Sequence, residues 1–149
     1  TFERDDVFVS GTFGGELTGI AAALATIAAL RNDDGKALQL IWQSGKHLKD
    51  GFNQCAEFLD LQEIKARGYA PRTEFVFPTN EHKALFWQEC CKKQVLFGYS
   101  NFVSAAHRMT AVDSVLNIVE ASLRYVKEHY ADPLSALEGK APTLTFKKP

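Results

Sequence analysis

Apolar side chains recur at helical spacing in two stretches near the start of the chain, on either side of a polar turn at 32–35. The second stretch keeps this spacing for about six turns, which predicts the longest helix of the chain. Its apolar positions are Leu38, Ile41, Trp42, Gly45, Leu48, Phe52, Cys55 and Leu59. The first stretch, from Leu17 to Ala29, has one apolar face and a second face of small alanines. We therefore expect this first helix to be buried on two sides.

The pattern then changes to the alternation that is typical of strands. The predicted strands are 62–69, 73–77, 95–97 and 102–106. A turn at 70–72 joins the first two, and Pro78 ends the second, because proline cannot continue the hydrogen-bond ladder of a strand. The sequence therefore predicts a small antiparallel sheet that includes a hairpin.

Two further helices are predicted around these strands. Asn80 is a suitable cap for a helix that runs to about Gln94, and Thr110 with Asp113 resembles a capping box for the last helix. The apolar residues of that last helix share one face, and they are Val112, Val115, Leu116, Val119, Leu123 and Val126. Residues 131–149 show no sustained period and are predicted to form a tail or a docking arm. This order of elements predicts an α+β fold, with helices packed on a small antiparallel sheet.

The clearest candidate for chemistry is the glycine-rich turn Ser10–Glu16, which leads directly into the first helix. Glycines allow left-handed backbone and close approach, and a helix start has free N–H donors and a dipole that favours negative charge. The turn could therefore hold a phosphate. A simpler interpretation is that its hydroxyl side chains only cap the helix.

Residues 8–16, with the alanine-rich continuation 21–27, resemble class III aminotransferases, which are pyridoxal-phosphate enzymes of fold type I. In that family a threonine, with a glycine three positions on, reaches across the dimer to the cofactor phosphate of the partner subunit. By this resemblance Thr12 is the phosphate ligand and Gly15 is the matching glycine. The cofactor-binding residues that it implies are Gly11, Thr12 and Phe13.

A second resemblance lies at 95–107, which ends in Ser-Ala-Ala-His and is followed by a helix. It is similar to the glutamate-1-semialdehyde aminomutase-like branch of the same family, where these elements close the small C-terminal domain. The two motifs follow the family's order, and the resemblance covers the chain from Phe2 to about Tyr130. It implies a connecting segment with the phosphate-contacting turn at 1–15, a small C-terminal domain at 16–130 and a tail at 131–149.

The resemblance also implies that the residues of the catalytic core are absent. The Schiff-base lysine, the acid that pairs with the pyridine nitrogen and the aromatic that stacks on the ring would all lie upstream of Thr1. We therefore expect no catalytic residue in this chain and no amino transfer by the chain alone. Pyridoxal phosphate is expected without a covalent bond to it. The expected partners are a missing large domain or a partner subunit, with assembly as a homo-oligomer.

On the substrate side, many relatives place a carboxylate-binding arginine two residues before the serine of the final strand, and here Phe102 holds that position. This departure favours the aminomutase-like branch. Tyr99 and Asn101 are the candidate substrate-lining residues, because their polar ends lie on a turn between strands. The alternative is a half-buried tyrosine and a turn-stabilising asparagine.

Composition narrows the function classes without choosing one. A net charge of −1 gives no basic stripe, which argues against a nucleic acid or an anionic membrane as partner. The sequence shows neither a membrane span nor a signal peptide. The three cysteines are interpreted as buried free thiols, which suits the cytoplasm. No Cys/His spacing predicts a metal site, and the four histidines are interpreted as surface or hydrogen-bonded residues. A non-catalytic α+β interaction domain remains the alternative to an aminotransferase segment.

Overall fold

The computed structural model describes Thr12 and residues 15–142. The chain divides into two units, Thr1–Leu38 and Gln39–Pro149, each of which is described by itself. Among the described helices, none combines the length and the apolar character that crossing a membrane requires.

The first helix, α1 (Leu17–Phe58), is interrupted at the predicted polar turn. Asp33, Asp34 and Gly35 have φ angles of 50°, 54° and 73°, which are left-handed values, so that helical residues on either side are separated by a turn. The prediction of two helices with a turn between them is confirmed.

The expected burial of the first stretch on two sides is wrong. Leu17 and Leu24 are 79% and 63% exposed, and the alanines of the second face are exposed as well. Within Thr1–Leu38 the described residues form one helical stretch and no second layer against which its apolar faces could pack. A helix can bury a face only when another element covers it.

The second unit contains a three-stranded antiparallel sheet in the order β1-β2-β3. Its strands are β1 (Lys65–Tyr69), β2 (Arg72–Val76) and β3 (Asn101–Phe102). The first two form the predicted hairpin around 70–71. In the β2–β3 pair, Arg72 lies opposite Phe102 and Thr73 lies opposite Asn101. The predicted α+β fold, with helices packed on a small antiparallel sheet, is confirmed.

The strand predicted at 95–97 does not form. Of the strand predicted at 102–106, only Phe102 belongs to a strand, β3. The Val95 N–H donates to the Cys90 carbonyl at 3.0 Å, so its backbone closes the end of the preceding helix instead of joining the sheet. Val95 and Phe97 instead pack on the core. Beyond β3 the backbone turns, and the Ser104 carbonyl accepts from the His107 N–H.

Two other helices complete this unit, α2 (Asn80–Lys92) and α3 (Met109–Glu128). Both observed N-caps precede the predicted ones, by one residue in α2 and by two residues in α3. The N-cap of α2 is Thr79, whose side chain accepts from the His82 N–H. The N-cap of α3 is Arg108, whose side chain cannot cap the helix because a guanidinium group has only donors, and Asp113 pairs with His47 of α1 at 2.6 Å.

The core lies between the helices and the inner face of the sheet, and three fully buried phenylalanines form its centre. Phe52 of α1 stacks on Phe75 of β2 with ring centroids 4.0 Å apart, and Phe86 of α2 meets both rings edge-on. The predicted apolar face of α3 is confirmed. Val112, Val119, Leu123 and Val126 are buried and Val115 and Leu116 are half-buried.

Part of the predicted tail is ordered against α2. Pro133–Ala136 forms a 3-10 helix, and the Gln88 side chain donates to the Ala136 carbonyl and accepts from the Glu138 N–H. The Lys92 ammonium lies 2.7 Å from a carboxylate oxygen of both Glu89 and Glu138. Residues 143–149 of the predicted tail lie outside the described residues.

The Glu89 carboxylate makes this junction sensitive to acid. Desolvation by burial would raise its pKa, but hydrogen bonds from Lys92 and Gln88 outweigh burial and hold the pKa below the usual 4.5. A carboxyl whose pKa is depressed by folding stabilises the fold above its unfolded pKa, and this stabilisation is lost as the pH falls. We therefore expect the unfolding free energy of Glu89→Gln to fall less steeply than that of the wild type below pH 4.5.

Urea denaturation at a series of pH values measures this difference. Glu57→Gln is the matched control, because Glu57 is an exposed glutamate of α1. This control should retain the wild-type slope. An equally steep acid dependence in Glu89→Gln and the wild type would contradict the prediction.

Candidate functional site

The structure describes two residues of the predicted phosphate turn before Glu16. Thr12 is exposed and lies in a turn. Gly15 has a φ of +79°, the left-handed conformation for which a glycine was expected in this turn. Gly11 and Phe13 lie outside the described residues. The role of Gly11, Thr12 and Phe13 in cofactor binding stays a prediction.

The start of α1 is less open to an anion than the sequence suggests. The Glu16 carboxylate, immediately before the helix, accepts from the N–H groups of Thr18 at 3.0 Å and Gly19 at 2.5 Å. The Thr18 side chain, followed by these backbone hydrogen bonds, lowers the Glu16 pKa, so the carboxylate is ionised at neutral pH. The expectation that the first N–H donors of this helix are free is therefore wrong for these two groups. A phosphate bound here would therefore need donors from the turn, because these two N–H groups of the helix are already bonded to Glu16.

Tyr99, the first candidate substrate-lining residue, lies in an exposed aromatic cluster. Its ring meets Trp87 edge-on with centroids 5.0 Å apart, and the Lys83 ammonium lies 5.2 Å from both ring centroids. Burial is the largest influence on Lys83 and lowers its pKa. The cluster therefore places a cation beside two aromatic faces, an arrangement that stabilises the positive charge.

Asn101, the second candidate, is only 8% exposed and is directed to the opposite side of the sheet from its exposed neighbour Phe102. Within the described part of the chain, neither its carboxamide nitrogen nor its carboxamide oxygen has a hydrogen-bond partner. The hydroxyl of Thr73, directly opposite on β2, is likewise buried and unpartnered there. An unpaired buried polar group costs about 1–3 kcal/mol. Two neighbouring side chains with buried, unpaired polar atoms, such as Asn101 and Thr73, are therefore unusual in a structural core.

Asn101 also lines a cavity of about 230 Å³ between the 95–103 segment and the helices. The other lining residues are mostly apolar and include Leu48, Val95, Phe97, Val112 and Val115. Tyr99 is not among the residues that line it. The two predicted substrate-lining residues thus have different surroundings, and their contact with a substrate stays a prediction.

The outer face of the sheet carries an arginine that sequence reasoning missed. The Arg72 guanidinium carbon lies 5.3 Å from the centroid of the Phe102 ring. Arg72 is exposed and stands opposite Phe102 in the β2–β3 register. The two residues meet through a cross-strand pairing between positions 30 residues apart, and spacing along the chain does not reveal this contact.

The histidines are hydrogen-bonded, as predicted. His82 is buried, with its ring nitrogens 2.9 Å from the Thr79 hydroxyl and 2.9 Å from the Tyr130 carbonyl. His47, His107 and His129 make ring hydrogen bonds to Asp113, Ser104 and Tyr125. Across Thr12 and residues 15–142, no group of three or more His, Cys, Asp or Glu side chains is arranged to hold a metal.

The cysteines match the prediction in part. All three are free thiols, but only Cys90 is buried, whereas Cys55 is half-buried and Cys91 is exposed. Burial raises the pKa of the Cys90 thiol to about 11, which keeps it protonated and unreactive. Cys91 is exposed because adjacent helical residues point about 100° apart.

Comparison with known proteins finds a likeness in structure but none through family models or curated sequences. No protein-family model and no curated protein matches the sequence. Among solved structures, the fold is similar to part of a pyridoxal-phosphate-bound protein.

That protein is FumI of Sphingopyxis sp. MTA144, whose structure shows the PLP internal aldimine form. The match has a TM-score of 0.68 and 25% sequence identity, and it covers 85% of this chain. The same match covers 31% of the FumI chain, so this chain spans about a third of its solved relative.

Proposed function

We propose that this chain is the C-terminal segment of a class III pyridoxal-phosphate-dependent aminotransferase of the glutamate-1-semialdehyde aminomutase-like branch. The observation that carries the proposal is the structural similarity to a PLP-bound protein over 85% of the chain. The two sequence motifs, around Thr12 and at 95–107, support it independently because they follow the order of that family. This chain matches about a third of the FumI chain, which agrees with the proposal that it is a segment of a longer enzyme.

In this proposal, the segment contributes Thr12 to the cofactor phosphate of a partner subunit. Pyridoxal phosphate supplies an electron sink when it is bound. The residues of the turn fit a phosphate in part, because a hydroxyl donor on an exposed turn can bind it whereas the Glu16 carboxylate occupies two N–H groups of α1. The task of this chain is therefore to hold and orient the phosphate through the turn.

The lysine that binds the cofactor aldehyde is proposed to lie outside this chain. Such a lysine needs a desolvated amine directed at the aldehyde. Lys83 is half-buried with a lowered pKa, but its ammonium lies over the rings of Trp87 and Tyr99. Its nitrogen is therefore held in contact with these rings.

The test is Thr12→Val in the enzyme formed by joining this chain to its upstream sequence. Valine removes one hydroxyl donor while nearly preserving shape. A hydrogen bond to a charged group contributes about 1.5–3 kcal/mol, so the dissociation constant of pyridoxal phosphate should rise about 10- to 100-fold. Cofactor titration followed by absorbance measures the change.

Thr12→Ser is the matched control, because it keeps the hydroxyl and should lose much less affinity. Thermal melting of both variants shows whether they are folded. Unchanged cofactor affinity in a well-folded Thr12→Val enzyme would refute the phosphate role. If the joined protein binds no pyridoxal phosphate at all, the aminotransferase proposal fails and the interaction-domain alternative is favoured.

A further inference from the structure

The outer face of the sheet carries a row of three exposed side chains, one from each strand. Tyr69 of β1 lies opposite Arg72 of β2, and Arg72 lies opposite Phe102 of β3. Residues that lie directly opposite each other in an antiparallel sheet have side chains on the same face. The row therefore places a cation on the central strand with an aromatic residue on either side.

The Arg72 guanidinium is positioned by a ring but has no partner for its hydrogen-bond donors. Its carbon lies 5.3 Å from the Phe102 ring centroid. Within residues 15–142 the group makes no hydrogen bond and no ion pair. A guanidinium has five N–H donors, and a contact with an aromatic face requires only its positive charge. The donors of Arg72 are therefore available to a ligand.

Two other arginines show how this differs from a satisfied guanidinium. Arg124 of α3 also lies over a phenylalanine ring, 5.5 Å from the centroid, but its Nε and Nη2 both donate to the Glu120 carboxylate, at 3.2 and 2.6 Å. Arg67, on the outer face beside Arg72, donates in the same way to Glu74, at 3.2 and 3.0 Å. Of these three arginines, only Arg72 lacks a carboxylate partner in the described part of the chain.

A pocket of about 260 Å³ lies beside Arg72 on this face. It is lined by Arg67, Gly68, Tyr69, Arg72, Thr73, Glu74 and Ser100. The Thr73 hydroxyl is buried and inaccessible, so Thr73 offers no polar side-chain atom to the pocket. The two guanidinium groups outnumber the one carboxylate, whereas the whole chain has a net charge of −1. The pocket is therefore locally positive and suits an anion.

The chemistry of the lining residues defines the anion further. The fork of a guanidinium matches the two oxygens of a carboxylate. The exposed Tyr69 ring offers an apolar, planar surface on which another ring can pack. Benzene fills a cavity of about 150 Å³. A pocket of about 260 Å³ therefore has room for one ring and a carboxylate.

We propose that Arg72 and Tyr69 form a binding site for a small molecule that carries a carboxylate on an aromatic ring. The Arg72 guanidinium binds the carboxylate, and the Tyr69 ring contacts the ring of the ligand. Phe102 positions the guanidinium from the neighbouring strand. The site lies in the second unit and requires neither Thr12 nor pyridoxal phosphate, so it does not rest on the function proposed above.

Titration of the full chain with benzoate at constant ionic strength, followed by heteronuclear NMR, tests this proposal. The expected result is saturable binding that shifts the resonances of Arg72 and Tyr69. Benzamide keeps the ring without the charge, and acetate keeps the charge without the ring. Benzoate should bind about tenfold more tightly than either, the equivalent of about 1.4 kcal/mol. Added salt should reduce its advantage over benzamide, because ions screen exposed charges.

Three variants assign the binding to these residues. Arg72→Gln removes the charge and the fork, and it should weaken benzoate binding about tenfold without changing the affinity for benzamide. Tyr69→Ala should reduce the affinity for benzoate to that for acetate. Arg124→Gln is the matched control, because it removes the other arginine that lies over a phenylalanine ring, and it should leave benzoate binding unchanged. All three positions are exposed, so the core is not altered.

Three results would overturn the proposal. The first is absence of saturable benzoate binding, and the second is an equal affinity of the wild type for benzoate and either of the other two ligands. The third is benzoate binding that a folded Arg72→Gln retains, which would place the molecule elsewhere on the chain. The comparison of the three ligands on the wild type requires no variant, so it decides the question by itself.

Discussion

Replacement of Phe52 by alanine should lower the free energy of unfolding by about 3–5 kcal/mol. Phe52 is fully buried at the centre of the core, stacked on Phe75 and edge-on to Phe86 and Phe77. Removal of its ring costs the transfer free energy of the side chain and leaves a cavity that the neighbouring rings of Phe75, Phe77 and Phe86 cannot readily fill. Urea denaturation followed by circular dichroism measures the loss.

Phe58→Ala is the matched control for this prediction. Phe58 belongs to the same helix but is 74% exposed, with the Arg124 guanidinium carbon 5.5 Å from its ring centroid. Loss of an exposed cation–π contact costs about 0.5–1 kcal/mol. Similar destabilisation by the two substitutions would show that the Phe52 cluster is not the centre of the core.

The second large effect is expected from Gly45→Ala, with a loss of about 3 kcal/mol in unfolding free energy. A Cβ atom on Gly45 would lie 2.0 Å from the Ala70 carbonyl oxygen and 2.5 Å from its carbon. Both are backbone atoms of the β1–β2 turn, so the helix and the hairpin would have to separate. The better helix propensity of alanine offsets only about 1 kcal/mol of this cost.

The same substitution should disturb the Asn101 cavity. The turn that Gly45 contacts includes Pro71, whose carbonyl accepts from the Val103 N–H directly after β3. A displaced turn therefore displaces the strand that carries Asn101. Side-chain NMR resonances of Asn101 should shift in a folded Gly45→Ala chain.

Gly51→Ala is the control, because it places a methyl group on the same helix at a more tolerant site. A Cβ on Gly51 would lie 2.5 Å from Leu116 Cδ1, the end of a flexible side chain that can rotate away. We expect Gly51→Ala to lose much less stability than Gly45→Ala in the same urea measurement. An equal loss in both variants would mean that backbone contact at the turn is not the decisive factor.

Local patterns were sufficient for most elements of this fold. The turn at 32–35, the hairpin around 70–71 and the apolar face of α3 were all predicted from spacing and turn residues. Each depends on interactions between residues close in sequence, or on a periodicity that one helix displays by itself. The α+β class followed from the order of these elements.

The failures occurred where contacts outside the predicted element decided the outcome. Asp113 was predicted to take part in a capping box, but it pairs with His47, which is 66 positions away. Residues 95–97 were predicted as a strand, yet the Val95 N–H donates to the Cys90 carbonyl, and Val95 and Phe97 pack on the core. A distant partner binds Asp113, whereas a helix end together with the core holds residues 95–97.

For the candidate sites, the sequence by itself determined the glycine-rich turn, the residue types at Thr12 and Asn101, and the resemblance that connects them to pyridoxal-phosphate enzymes. The hydrogen bonds of the Thr18 and Gly19 N–H groups to Glu16 are local, spanning two and three residues. Only the tertiary structure decided that Arg72 lies over Phe102 and that Asn101 is buried beside a cavity. The physical reason is that residue type sets which hydrogen bonds and charges a side chain can offer. Its actual partners depend on which strands and helices the fold brings together, and for Asn101 these are separated by tens of residues.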